Sequence, residues 1–367
     1  MTKVVCICGT RPELIRLSEV IKKLDLYTNH IFVHTNQSYD YELNQVFFDE
    51  LKIRKPDYLL NVKAETIGEQ IGNIMTQTEK VLLKENPDAV LILGDTNSAL
   101  SCIVAKRLHI PIFHMEAGNR SFSDLVPEEV NRRIIDHTAD CNLPYTEHAR
   151  RNLLREGIHP QFIFVTGSPL TEVYANHIDE IYASDILKQM GLTKDNYIVA
   201  SLHREENITD WSILTKVIEA FYTLSEKYKM PVIFSTHPRT RAKLNPTSDD
   251  RIIFHKPFGL FEFIKLQQNA FITISDSGTI NEDSAILGIP TVNIRESQER
   301  YEVYDSGNCV ISGLSKENII NCVDLVRKQI NVNFKIPHDY IDKNCSDKVI
   351  RLIMGYTGII KKKIYGE

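Results

Sequence analysis

KVVCICGTRPE (residues 3–13) pivots on Gly9: a run of valine, isoleucine and cysteine leads up to it, and a helix-forming stretch leads away. Strand, glycine turn and helix in that order are the repeating unit of a parallel α/β sheet. Gly9 lets the chain turn, Thr10 can cap the helix, and Arg11 and Arg16 fall near its first turns. That arrangement suits an anion at a helix N-terminus. A tight turn with solvent-facing arginines is the plainer reading of the same residues. The segment is not G-x-G-x-x-G, so the fingerprint for a dinucleotide pyrophosphate is absent here.

The same unit recurs along the chain. In the first half, strands are expected at KVVCICGT (3–10), HIFVHTNQ (30–37), DAVLILGDT (88–96), IPIFHMEA (110–117), CNLPYT (141–146) and FIFVTGS (162–168). In the second half they are expected at NYIVASLHR (196–204), PVIFSTHP (231–238), RIIFHKP (251–257), AFITISDSG (270–278), PTVNIR (290–295) and NCVISG (308–313). Apolar runs of this length without strict alternation fit strands buried on both faces. Between them, stretches such as DWSILTKVIEAFYTLSEKY and SALSCIVAKRL carry helical periodicity. The fold class is therefore α/β, with two Rossmann-like parallel-sheet domains facing a cleft. The expected division is 1–167 and 168–350, with 351–367 as a C-terminal helix that packs back on the first domain. A ligand is expected beyond the carboxyl ends of the strands.

At 367 residues the chain exceeds the size at which one core stops growing, so two domains are the default. A net charge of −5 offers nucleic acid or an anionic membrane no general attraction, and any phosphate site must be local. The seven cysteines are scattered without a C-x-x-C pair, which supports neither a disulfide framework nor a zinc cluster. No secretory leader is expected, and no apolar run reaches membrane-spanning length. A cytoplasmic protein that needs no metal and no cofactor is expected.

Reactive side chains gather at the predicted strand ends. Asp95 follows the third strand and Glu116 the fourth, and Glu128 opens a helix behind Pro127. Taken alone, Asp95 is an N-cap partner and Glu128 compensates a helix dipole. Taken together, converging carboxylates in a dry cleft drive their pKa values apart and can give and take a proton. In the second half, SLHREEN and STHPRT put His203, Arg204, His237 and Arg239 at strand ends; one such histidine alone reads as a structural hydrogen bonder, and two, each with an arginine, read as a receptor for diphosphate. In SDSGTINED (275–283), Ser277, Gly278 and Thr279 open a helix whose amides can cradle a phosphate. Glu282, in its first turn, makes sense as an acceptor for two ribose hydroxyls. Phe258, Phe261 and Phe263 offer a stacking surface for uracil, although any one of them is more commonly a core residue.

GTRPELIRLS, GDT, HMEAGNR, PEEVNR, LHRE and SDSGTINED resemble, in order and spacing over nearly the whole chain, the non-hydrolysing UDP-N-acetylglucosamine 2-epimerases. The wording of the first and third phrases looks most like the UDP-N-acetyl-L-fucosamine synthase branch, whose members supply capsule or O-antigen assembly. The resemblance implies the two-domain glycosyltransferase-B architecture and a homodimer. It implies catalytic roles for Asp95, Glu116, Glu128 and His203. Phosphate contacts would fall to Arg11, His237, Ser277 and Gly278, the ribose contact to Glu282, and uracil packing to Phe263. It also implies a reaction in which UDP is eliminated to a 2-acetamidoglycal and then re-added. One departure stands out. Members activated by UDP-N-acetylglucosamine carry Gln-His-Arg after the second strand, where this chain has Gln37-Ser38-Tyr39, so that activation is not expected. Within the family the alternative is a UDP-N-acetylglucosamine 2-epimerase giving UDP-N-acetylmannosamine; a glycosyltransferase, a hydrolysing epimerase and a non-catalytic UDP-sugar sensor are the more distant rival readings.

Overall fold

Small and β-branched residues that are buried on both faces build the first sheet. The computed structural model describes residues 1–36, 47–202, 210–236 and 249–367. Its strands are β1 (Lys3–Cys8), β2 (Asn29–His34), β3 (Tyr58–Leu59), β4 (Ala89–Leu93), β5 (Ile112–Met115) and β6 (Cys141–Leu143). All pair in parallel, in the order β3-β2-β1-β4-β5-β6, with Cys6 in register with Phe32 on one side and Leu91 on the other. Val5, Ile7, Val90 and Ile92 share a core with Ile74, Val81 and Leu82 of the helix Ile67–Glu85. That helix lies on them with one apolar stripe.

The second sheet repeats the plan with β7 (Ile198–Ser201), β8 (Val232–Ser235), β9 (Ile252–His255), β10 (Ile272–Ser275), β11 (Thr291–Asn293) and β12 (Val310–Ile311). It too is parallel, ordered β12-β11-β10-β7-β8-β9. Phe221, on the helix Trp211–Tyr228, meets Phe234 of β8 edge-on at 5.4 Å within its core. Each sheet has a topological switch point, between β1 and β4 in one and between β7 and β10 in the other. In open α/β sheets ligands bind beside such points.

The α/β reading with two Rossmann-like units therefore holds, with two differences of detail. FIFVTGS does not form a ladder strand. Ile163 makes an isolated bridge to Asn142, and Thr166 N–H donates to Pro144 O at 3.0 Å. Pro144 has no N–H to return the bond, so pairing beside β6 lapses there. The sixth strand of the first sheet is instead β3, a two-residue edge that no apolar run announces.

Contacts divide the chain into Met1–Asn176 with Ile341–Glu367, and His177–Tyr340. The expected borders were 167/168 and 350/351. The shift has a local cause, because the helix Pro169–Asn176 packs on the helix Arg11–Tyr27. Its Glu172 also accepts Ser346 N–H at 2.8 Å, fixing the start of the returning helix Cys345–Ile360 to the first unit. All seven cysteines are buried free thiols. Among the described residues no helix is long and apolar enough to cross a membrane.

His34, at the end of β2, gives a pH test of this core. Its Nδ1 accepts Asn36 N–H at 3.1 Å, so the neutral ring carries its proton on Nε2. Burial pulls its pKa from 6.5 down to about 4. Between those values the unfolded chain binds the extra proton, so this contribution is whole above pH 6.5 and is lost as pH falls through about 4. It amounts to up to about 3 kcal/mol. The urea stability difference between pH 7.5 and pH 4 should shrink by that order in His34→Gln. An unchanged difference would remove His34 as the cause.

Candidate active site

The first unit gathers its candidate residues at the carboxyl edge of its sheet. Thr10 is the extended N-cap of the helix Arg11–Tyr27, and Glu13 in the first turn reaches back to it. Glu13 Oε2 accepts Gly9 N–H (2.8 Å), Thr10 N–H (2.6 Å) and the Thr10 hydroxyl (2.8 Å), while Oε1 accepts the Thr96 hydroxyl at 2.8 Å. Burial pushes this carboxyl up to about 7 against those donors. The Arg11 guanidinium lies 5.1 Å over the Phe47 ring, and burial draws its pKa below the ordinary arginine value. Arg16 is buried, with its NH1 3.4 Å from Glu116 Oε2 and its guanidinium 5.9 Å over the Tyr145 ring.

Asp95 stands just past the end of β4, after Gly94, and meets Arg132 Nε at 2.6 Å through Oδ2. Its carbonyl accepts Asn131 Nδ2–H at 2.9 Å. Asn131 and Arg132 lie three and four positions after Glu128 on the helix Glu128–Thr138, so Glu128 shares the helix face turned to Asp95. The neighbouring Glu129 does different work. It is buried and accepts the Ser121 N–H and hydroxyl, both at 3.0 Å, and Arg132 NH1–H at 2.9 Å. Burial alone would raise its pKa, but these donors hold it below the usual carboxylate range.

Glu116 follows β5 with φ of 66°, a left-handed conformation uncommon for a non-glycine residue. Asn119 Nδ2–H donates to its Oε1 at 3.2 Å. The loop is stiffened from below. Gly118 N–H donates to Asp136 Oδ2 at 3.1 Å, Asn152 Nδ2–H donates to Gly118 O at 3.0 Å, and the buried Arg120 bonds both Asp136 (2.7 Å) and Glu156 Oε1 (2.7 Å). His114 Nδ1 lies 2.9 Å from Asp136 Oδ1. Burial opposes the Asp136 charge, yet His114 and Arg120 together hold its pKa down.

In the second unit, Gly278 is the N-cap of the helix Thr279–Leu287, which starts just beyond β10. The Ser277 hydroxyl accepts Thr279 N–H at 3.3 Å and lies 3.0 Å from the Thr279 hydroxyl. A Cβ on Gly278 would meet nothing nearer than Arg295 NH1 at 3.9 Å, so this turn is open. Glu282 is wholly buried, with Arg300 Nε 3.3 Å from Oε2. Phe263 is half-buried and stacks on Phe258 at 6.3 Å.

Arg11, Arg16, Asp95, Glu116 and Glu128 thus come to one edge of the first sheet. Ser277, Gly278, Thr279 and Glu282 come to the corresponding edge of the second. His203, Arg204, His237 and Arg239, and also Gln37–Tyr39, lie outside the described residues. Among the described residues no three histidine, cysteine or acidic side chains are grouped to hold a metal ion. Sequence reasoning missed Glu13, Arg132 and the Arg120–Asp136 pair. Only Glu13 had a signal, the T-x-x-E spacing of a capping box.

A family model described as UDP-N-acetylglucosamine 2-epimerase matches residues 22–354. The chain belongs to that family. UDP-N-acetylglucosamine 2-epimerases are isomerases, and the similarity runs from end to end. The UDP-N-acetylglucosamine 2-epimerase of Methanococcus maripaludis is 37% identical over 367 residues, covering 97% of this chain and 99% of that protein. A structure of UDP-N-acetylglucosamine 2-epimerase from Rickettsia bellii superposes with a TM-score of 0.93 at 44% identity, covering 100% of both chains. The Methanocaldococcus jannaschii enzyme in complex with UDP-GlcNAc and UDP gives 0.90 at 34% identity, covering 96% of this chain and 100% of that one.

Proposed function

We propose that the chain inverts C2 of a UDP-2-acetamido sugar without hydrolysing it. The carrying observation is the set of three carboxylates, Asp95, Glu116 and Glu128, at one sheet edge in a chain of this family. A C2 proton beside an acetamido group is not acidic, so direct abstraction to a carbanion faces a high barrier. Elimination lowers it. The C1–O bond breaks with its electron pair going to UDP, a carboxylate takes the C2 proton, and a C1=C2 double bond forms. Return of a proton to the other face of C2, with attack of the UDP oxygen on C1, restores the sugar nucleotide with C2 inverted. No oxidant or reductant enters this balance.

The roles follow the chemistry of each group. Arg11 and the helix start at Ser277–Thr279 stabilise the departing diphosphate, with Arg16, Arg204 and His237 as further contacts. Asp95, Glu116, Glu128 and His203 handle protons. Glu282 receives the ribose hydroxyls and Phe263 packs on uracil. The M. jannaschii complex supports a UDP-sugar as the substrate.

For the product we propose UDP-N-acetyl-L-fucosamine for capsule or O-antigen polysaccharide, on the wording of GTRPELIRLS and HMEAGNR. The relatives' names favour a second reading, UDP-N-acetylglucosamine to UDP-N-acetylmannosamine. We further propose a homodimer and a reducing cytoplasmic setting, in keeping with seven free thiols.

The test is a panel of UDP-2-acetamido sugars incubated in deuterium oxide and followed by NMR. One deuteron at C2 of an inverted UDP-sugar is expected. A product free of deuterium sinks the proton-transfer scheme, and free sugar points to a hydrolase. Transfer to an acceptor points to a glycosyltransferase, and UDP binding without turnover to a sensor.

A further inference from the structure

We infer that Glu13 is a positioning residue, whose carboxylate ties the turn after β1 to the turn after β4 and thereby sets the spacing between Arg11 and Asp95. The inference about catalysis rests on the proposed function; the tie itself rests on geometry alone.

At a switch point the chain leaves neighbouring strands toward opposite faces of the sheet. β1 and β4 are in register up to Ile7 and Ile92. Beyond that, the next backbone bonds run outward: Thr35 N–H donates to Cys8 O at 2.8 Å, and Gly94 N–H donates to Met115 O at 3.0 Å. The gap between the turns is crossed by Glu13. Its Oε2 collects the donors of Gly9 and Thr10, and its Oε1 takes the hydroxyl of Thr96, 83 positions away. Arg11 stands one residue after the first group and Asp95 one residue before the second.

A capping role explains only the Oε2 bonds, because a capping box is complete within one turn. The Thr96 bond is extra. Nor does it serve the turn that follows, since the Thr96 side chain does not cap the 3₁₀ segment Asn97–Ser101. A buried carboxylate surrounded by donors is a strong, directional tie. Its burial-raised pKa of about 7 marks a group held at a cost that packing alone does not require.

Thr96→Val tests this, since it removes one hydroxyl at nearly constant shape and leaves the Oε2 cap intact. Amide exchange at Asp95–Asn97 should quicken about tenfold, with the thermal midpoint little changed. kcat should fall about tenfold while KM stays within about twofold, because small misplacements of a reacting group weigh on the chemical step. Thr96→Ser, which keeps the hydroxyl, should restore both. Should Thr96→Val fold poorly, Thr96→Ala supplies the same exchange comparison. Unchanged exchange in a folded Thr96 variant overturns the tie. Quickened exchange with unchanged kcat overturns its catalytic consequence. A wild-type protein that turns over no sugar on the panel defeats the proposed function instead, and the exchange result still decides the tie.

Discussion

Glu116→Gln is expected to lower turnover by at least about 10²-fold, the scale of losing a general acid or base, with UDP binding near that of the wild type. The substitution is nearly isosteric. The amide oxygen of the new side chain can still accept from Asn119, which donates to Oε1 at 3.2 Å in the wild type. What disappears is the ability to exchange a proton and the charge opposite Arg16, whose NH1 lies 3.4 Å from Oε2. The backbone supports a special role as well. A glutamate at φ 66° carries strain that a surface residue would shed, and strain of this kind collects at functional sites. Two measurements separate chemistry from structure. Calorimetric UDP affinity should hold while C2 deuterium exchange collapses. If exchange continues at half the wild-type rate, Glu116 is not a proton carrier in this reaction.

The residues that were legible in the sequence and those that were not divide on a physical line. All six strands of the second sheet lie within runs that apolar composition singles out, because burial on both faces writes itself locally. Ser277–Thr279 was legible for a similar reason: a strand end followed at once by a helix start needs only nearby residues. Long-range partners left no trace. SDSGTINED offers Glu282 no cationic partner, yet Arg300 reaches it from 18 positions on. Glu13 looks like a cap, and its bond to Thr96 requires knowing that β1 and β4 are neighbours. The pair Glu128–Glu129 shows the limit within one dipeptide. Sequence position gives both a place in the first helical turn, and only the fold shows Glu129 sealed against Ser121 while Glu128 stays half-buried.

Gly118→Ala is expected to destabilise the protein by about 3–5 kcal/mol, at the upper end for a single substitution. Two effects are involved, and a second glycine separates them. Gly118 has φ of 81°, which disfavours any side chain by about 1 kcal/mol. An alanine Cβ would also stand 2.3 Å from Ala149 O, 2.8 Å from its carbonyl carbon and 2.9 Å from Leu153 Cγ. Two of those atoms are backbone in the helix Glu147–Arg155, so no rotamer change relieves the contact. Either the helix or the loop must move. The loop is tied to Asp136 and Asn152 through Gly118 itself, and to Glu156 through Arg120. Gly157 has nearly the same φ, 85°, with nothing within 4 Å of its Cβ position. Gly157→Ala should therefore cost only the conformational share, about 1 kcal/mol. Urea denaturation of both variants measures the difference. Since Gly118 lies two residues from Glu116, any Gly118→Ala protein that folds should also lose turnover out of proportion to UDP affinity. Equal stability losses in the two variants would mean that the loop yields freely, and the rigid seat argued for Glu116 would go with it.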